Sequence, residues 1–231
     1  MHQISNYIYA DDSLLGMDIP SKRLPNPYAD LPYMLIKNFL TSEECYAITT
    51  ATLSDKEAVK AELRGRALDT AIRKTDIHTL NSQYRTLYEN RFSQKRAEIE
   101  QFFSLSLSNS TDVQVLGYEQ EGFYLKHSDD SSELRDSQGV TIGFKVVAPE
   151  RKLTTVLFTT TYSPDSSDNA HFSGGELLFN YLYDTDGNMI TLRPEAGDMV
   201  VFLSNPYFSH EVLSVQSGFR LTLVQWHNAL I

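Results

Sequence analysis

The stretch "FYLKHSDDSSELRD", Phe123 to Asp136, sets a single histidine among acidic residues directly after an apolar run. Two readings compete for it. Either the whole run is a solvated acidic loop, or His127 and Asp129 end a strand. Residues i and i+2 of a strand share a face, so the second reading aims an imidazole and a carboxylate at one point. A lone His-x-Asp is common by chance, so its surroundings have to decide.

Downstream of residue 111 the segments are short and rich in Val, Leu, Thr, Phe and Tyr: "DVQVLGYEQ", "GVTIGFKVVA", "KLTTVLFTTTY", "GELLFNYLY", "MITLRP", "DMVVFLS", "HEVLSV" and "RLTLVQW". Gly, Pro, Asp, Asn and Ser separate them, which is the pattern of an antiparallel sandwich or barrel. Upstream, "PYMLIKNFL" (32–40) reads as a strand. Thr41-Ser42-Glu43-Glu44 then carries a capping-box pattern, predicting a helix over about 42–62. Ser82 is the expected cap of a second helix, whose Tyr84, Leu87, Tyr88, Ile99, Phe102 and Phe103 fall near helical spacing. Residues 1–31 read as an irregular lead-in with three prolines. The expected fold is mainly β with flanking helices (α+β). A single domain covers 32–231, its β core about 111–228. The segments 128–139 and 163–175 read as polar loops, and loops of this kind can act as lids over a site.

The chain has 231 residues, 41% hydrophobic and 22% charged, with a formal charge of -10. That length supports a sizeable core. The acidic balance argues against a nucleic-acid substrate, whose binding needs phosphates neutralised. No apolar run reaches membrane-spanning length, and the N-terminus lacks the basic and apolar regions of a secretory signal. Cys45 is the only cysteine, so an intramolecular disulfide and a thiolate metal cluster are both excluded. A reducing, cytoplasmic setting is expected.

Further along, His210 opens "HEVLSV". Two imidazoles and one carboxylate on one side of a metal form the facial triad suited to non-haem Fe(II) oxygenases, with positions left open for cosubstrate and oxygen. Taken alone, His210 reads equally as a strand-end histidine, and Asp129 as a loop cap. Arg220 shifts the balance. It opens "RLTLVQW", where Arg220, Thr222, Val224 and Trp226 alternate onto one face. An inward arginine in an apolar barrel is costly unless an anion meets it, and its planar fork suits a carboxylate. The competing reading is a salt bridge to one of thirty acidic side chains.

Together these residues resemble the Fe(II)/2-oxoglutarate dioxygenases, most closely their prolyl 4-hydroxylase branch, over roughly residues 32–227. The resemblance rests on several ordered features. "GYEQEGFYLKHSD" supplies Tyr118, Gly122 and Tyr124 ahead of His127 and Asp129. "SGGELLF" (173–179) and "PEAGDMVVFLS" (194–204) match the family's turns before strands. His210, Val212, Arg220 and Trp226 follow at the family's spacing, and "IKNFLTSEEC" (36–45) and "IRKT" (72–75) match further upstream.

The resemblance implies a double-stranded β-helix (jelly-roll) core with the N-terminal helices packed on it. It implies that His127, Asp129 and His210 bind Fe(II), and that Arg220, helped by Thr222, holds the distal carboxylate of 2-oxoglutarate. Tyr118 would bind the cosubstrate or line its pocket, and Tyr124, Arg73 and Trp226 would face substrate. The implied reaction hydroxylates an unactivated C–H bond with O2, releasing succinate and CO2. Its substrate would be a prolyl residue of a peptide or an amino-acid-like small molecule, with ascorbate as a further reductant. The retained Asp129 favours hydroxylation over halogenation. Two departures stand out: arginine occupies a position where prolyl hydroxylases often have lysine, and Phe158 stands where relatives carry a tyrosine hydroxyl. That contact is expected to pass to Thr154 or Thr160. His171 and His78 are expected to be a loop histidine and a strand histidine. The rival readings are a non-redox cupin-type metal protein and a non-catalytic jelly-roll binding module.

Overall fold

The computed structural model describes residues 1–11, 33–54, 59–60, 72–165 and 168–230. Thr41 begins the first helix, α1 (Ser42–Ser54), as a reciprocal capping box. The Thr41 amide donates to the Glu44 carboxylate at 2.8 Å, and the Glu44 amide donates to the Thr41 hydroxyl at 3.2 Å. The helix is shorter than its sequence predicts. Val59–Lys60 pairs as a strand with Asp76–His78, so sheet pairing overrides helix propensity there. The second helix, α2 (Ser82–Phe103), is capped by Asn81 rather than Ser82, because the Asn81 side chain accepts from the Gln83 amide at 3.0 Å. Tyr88 and Ile99 are its buried residues.

Four sheets follow. The largest centres on the strand Arg220–Leu230, flanked by Leu153–Phe158 and Gln114–Tyr118, with Met199–Leu203 and Met34–Ile36 continuing one side and Asp76–His78 the other. The strand Met34–Ile36 is only the middle of the expected segment 32–40. A second sheet runs Met189–Leu192, Leu177–Tyr183, His210–Val212, Phe123–His127 and Arg73–Lys74. Alternation along the central strand divides the interior. Leu221 and Leu223 join α1, α2 and the outer face of the large sheet in one core, with Cys45, Ile48, Tyr88 and Ile99. Val224 joins Phe158, Phe179, Phe202, Phe208 and Val212 in the second core, between the two sheets. This is the expected jelly roll with helices packed on one face.

Two stretches differ from their sequence reading. The lead-in is not irregular where it is described: His2–Ser5 and Ile8–Ala10 form a hairpin that pairs with Thr141–Val146, while residues 12–32 lie outside the described residues. The acidic loop 128–139 is largely structured too. Ser131–Arg135 is a strand paired antiparallel with Thr141–Val146, so this segment is a hairpin of the four-stranded sheet. Its polar residues hid it, because an edge hairpin at a cavity rim needs no apolar alternation. No helix among the described residues is long and apolar enough to cross a membrane.

Candidate active site

His127 ends the strand Phe123–His127, and His210 begins the strand His210–Val212. The two strands are adjacent and antiparallel, with His127 and His210 directly opposite. The rings lie 4.3 Å apart between centroids. Asp129 stands two residues beyond His127, with its carboxylate oxygens 3.9 Å from His127 Nε2 and 4.0 Å from His210 Nε2. One ligand atom from each of the three lies within 4.8 Å of the others, a spacing that could hold a metal ion.

Hydrogen bonds around the three groups prepare them for that task. His127 Nδ1 lies 2.9 Å from the Leu125 carbonyl, and His210 Nδ1 lies 2.9 Å from the Phe208 carbonyl. A carbonyl only accepts, so each Nδ1 carries the proton and each Nε2 offers its lone pair to the shared centre. Burial, followed by the neighbouring His210, pushes the His127 imidazole down to about 3, which keeps it neutral. Burial would raise the Asp129 carboxyl. The neighbouring His210 and His127 and the Thr154 hydroxyl instead hold it below its ordinary value. Thr154 donates to Asp129 Oδ2 at 2.7 Å. Neutral nitrogen donors with a deprotonated carboxylate are the donor set that a divalent iron takes, so the residues fit the metal.

A cavity of about 890 Å³ opens beside this group. Arg220, Thr222, Val224 and Trp226 all line it, as their alternation predicts. Arg220 is buried to 1% exposure. Its Nε donates to the Gly175 carbonyl at 2.8 Å, and Nη1 reaches the Thr222 hydroxyl at 3.5 Å. The rings of Tyr118 and Phe158 lie 4.9 and 5.1 Å from its guanidinium carbon. Among the described residues no acidic side chain forms an ion pair with it, so the salt-bridge reading is set aside. Burial lowers its pKa to about 10, which leaves it cationic at neutral pH.

The Gly-Gly turn is explained by the same arginine. Gly174 and Gly175 both have φ of +64°, and a Cβ on Gly175 would stand 2.8 Å from Val215 Cγ2 and 3.1 Å from Arg220 Cδ. The turn therefore brings a bare backbone carbonyl against the guanidinium.

Tyr118, Tyr124 and Arg73 line the cavity as well. Phe158 is fully buried, and the hydroxyls of both threonines have partners within the protein. Thr154 is bonded to Asp129 and to Ser204, while the Thr160 hydroxyl accepts from the Leu221 amide at 3.0 Å. Trp226 packs under Arg151, whose guanidinium carbon lies 3.9 Å from the ring centroid. His171 begins the strand His171–Gly174 rather than sitting in a loop, and its Nδ1 lies 2.7 Å from Asp168. His78 ends its strand beside Phe219.

Sequence reasoning missed two participants. Arg151 was hidden because it precedes its strand, yet its Nη1 donates to the Asp129 carbonyl at 3.0 Å. Asp130, within the stretch read as a polar loop, is buried rather than solvated. Its Oδ1 accepts from the Ser128 and Ser131 hydroxyls, and burial raises its carboxyl to about 6. The Ser-Asp-Asp-Ser run that signals a loop is here a self-bonded buried corner.

A jelly roll with two histidines, a carboxylate and a buried arginine that has no ion pair among the described residues, all around one cavity, defines the class of iron oxygenases that use a dicarboxylate cosubstrate. The 2OG-Fe(II) oxygenase superfamily model matches residues 113–228, and the chain belongs to that superfamily. It is a 2-oxoglutarate-dependent iron dioxygenase, with Fe(II) and 2-oxoglutarate as cofactor and cosubstrate. Among solved structures it is similar to a Pseudomonas putida prolyl-4-hydroxylase, at 22% identity over 87% of this chain and 95% of that one, with a TM-score of 0.61. A 2OG complex of the viral collagen prolyl hydroxylase from Paramecium Bursaria Chlorella virus-1 gives 19%, 87% and 99%, with 0.59. A Trichoplax adhaerens prolyl hydroxylase in complex with a hypoxia inducible factor peptide fragment gives 16%, 87% and 86%, with 0.60. These likenesses concern the fold. Comparison with curated proteins gave no match by sequence.

Proposed function

We propose that the chain hydroxylates an unactivated C–H bond of a prolyl residue or an amino-acid-like molecule. In this reading His127, Asp129 and His210 hold the iron, and Arg220 holds the distal carboxylate of 2-oxoglutarate. The carrying observation is the convergence of the three-residue group and the buried Arg220, which has no ion pair among the described residues, on one cavity. A cupin-type metal site gives Arg220 no carboxylate to meet, and a mere binding module needs no neutral, pre-oriented imidazoles. The prolyl hydroxylase-like fold supports the choice of substrate.

When bound, the iron and 2-oxoglutarate supply the oxidising chemistry, with O2 consumed and succinate and CO2 released. The protein supplies geometry. The Leu125 and Phe208 carbonyls hold the two imidazoles in one tautomer. Thr154 fixes the rotation of the Asp129 carboxylate. Arg220 would neutralise one end of the cosubstrate and Thr222 would offer it a hydroxyl, while Tyr118, Phe158 and Phe172 surround the guanidinium with rings that exclude water. Anaerobic addition of Fe(II) and 2-oxoglutarate tests the assignment. A visible charge-transfer band should form with wild type and vanish with His127→Ala. A band that never forms, or survives that change, refutes it.

A further inference from the structure

Arg73 is a second cation in this cavity with no acidic partner among the described residues. It sits on the strand Arg73–Lys74, opposite Tyr124 in register, and is 7% exposed. Its guanidinium carbon lies 4.6 Å from the Tyr124 ring centroid, and that ring stacks on His127 at 3.6 Å and 14°. One aromatic ring therefore separates Arg73 from a proposed iron ligand. The tyrosine covers the guanidinium face but not its edge. Nε and Nη2 are both buried and without a hydrogen-bond partner. These two atoms form the side-on edge of the guanidinium, one of its two edges whose parallel N–H bonds match both oxygens of a carboxylate. Leaving two charged donors buried and unbonded is costly unless a ligand completes them.

The charges around the cavity agree. Divalent iron, doubly negative 2-oxoglutarate, Asp129 and Arg220 together are neutral. Glu133, on the rim, is answered by Lys126 at 3.1 Å, and Asp112 by Arg85 at 3.0 Å. Arg73 is left over, and Arg151 adds a further cation to the cavity lining. A loaded cavity of this composition is positive and selects an anion.

We propose that the substrate of this enzyme carries a carboxylate, received by the Nε/Nη2 edge of Arg73, with the C–H to be hydroxylated close to that carboxylate. The inference rests on the proposed function and narrows it. A neutral internal prolyl residue is disfavoured, and a free amino acid, a C-terminal residue or an acidic neighbour in a peptide is selected.

The test uses the anaerobic Fe(II)·2-oxoglutarate complex of the full chain and reads the shift of its visible band on adding substrate. Probes are free L-proline and other free amino acids, dipeptides ending in proline, and peptides with proline beside aspartate or glutamate, each against its amide twin. At least one carboxylate should shift the band while its amide does not, and the responding arm names the source of the carboxylate. Arg73→Gln should weaken that response at least ~10-fold, and Arg73→Lys, which keeps the charge but loses the fork, should fall between. The unshifted band itself reports that each variant is folded and loaded. Amides equal to their acids, no response from any acid, or an Arg73→Gln response equal to wild type each overturn the carboxylate proposal and leave the iron reading standing. Absence of the band in wild type removes both.

Discussion

The Thr154 hydroxyl donates to Asp129 Oδ2 at 2.7 Å and lies 2.8 Å from the Ser204 hydroxyl. A side chain from the large sheet thus sets the rotation of a carboxylate that belongs to the turn after Phe123–His127. Partners of this kind hold metal affinity without touching the metal. Thr154→Val should fold and weaken Fe(II) binding by roughly 10- to 100-fold, measured by anaerobic titration. Iron affinity equal to wild type would show that the bond is only a packing contact.

Arg220 and the three-residue group are separable. Arg220→Ala should weaken 2-oxoglutarate binding by ~100-fold or more, from lost charge-assisted bonds, while sparing iron. Arg220→Lys should keep part of the affinity, since lysine retains the charge without the fork. Isothermal titration with each ligand reads both constants. Equal loss of both would point to a folding defect.

Asp130 behaves as a structural acid. Asp130→Ala would strip the acceptor from the buried Ser131 hydroxyl and leave Ser128 only the Ser204 carbonyl, and should lower stability by about 1–3 kcal/mol. Asp130→Asn keeps Oδ1 for both hydroxyls and should cost less. Urea unfolding of the two variants makes the comparison, and the reverse order would refute this role.

His227 predicts acid sensitivity away from the site. It lies between Ser110 and Thr155, at 2.7 and 3.1 Å, with Phe92 stacked on its ring. Burial, followed by Arg96, pushes its pKa from the ordinary 6.5 down to about 3. The folded-state pKa is depressed, so the unfolded chain binds the proton first. The contribution of His227 is complete above about 6.5 and is lost as pH falls from there toward about 3, at up to ~1.4 kcal/mol per pH unit. Urea midpoints of the metal-free protein at pH 7 and pH 5 should therefore differ less in His227→Phe than in wild type.

The likeness to known dioxygenases resided in local spacing, and local spacing is what a sequence carries. His127-x-Asp129 was legible as a spacing, although the strand expected to carry both ends at His127 and Asp129 reaches the same point from the turn beyond it. Arg220, Thr222, Val224 and Trp226 enter one cavity because a strand has period two. The capping box at Thr41 and the turn glycines at 174–175 were legible because each needs a particular residue type at a particular position. Helix ends were less so. Asn81 and Ser82 are both good caps, and only geometry separates them.

Non-local matters stayed hidden. Asp129 and Asp130 are the same residue type in adjacent positions. Spacing from His127 set the candidate ligand Asp129 apart from its neighbour, but it could not show that the neighbour is buried and held by two serines. Thr154 lies 25 residues from the carboxylate it orients. Arg73 is one of 20 basic residues in the chain. Only the pairing of its strand with Phe123–His127 places it behind Tyr124, with one edge unbonded. Periodicity and spacing, which are properties of the chain itself, determined the jelly roll, the three-residue group and the buried arginine. Which polar groups are buried together, and which of them lack partners, is set by contacts between distant segments, and the tertiary structure alone decided that.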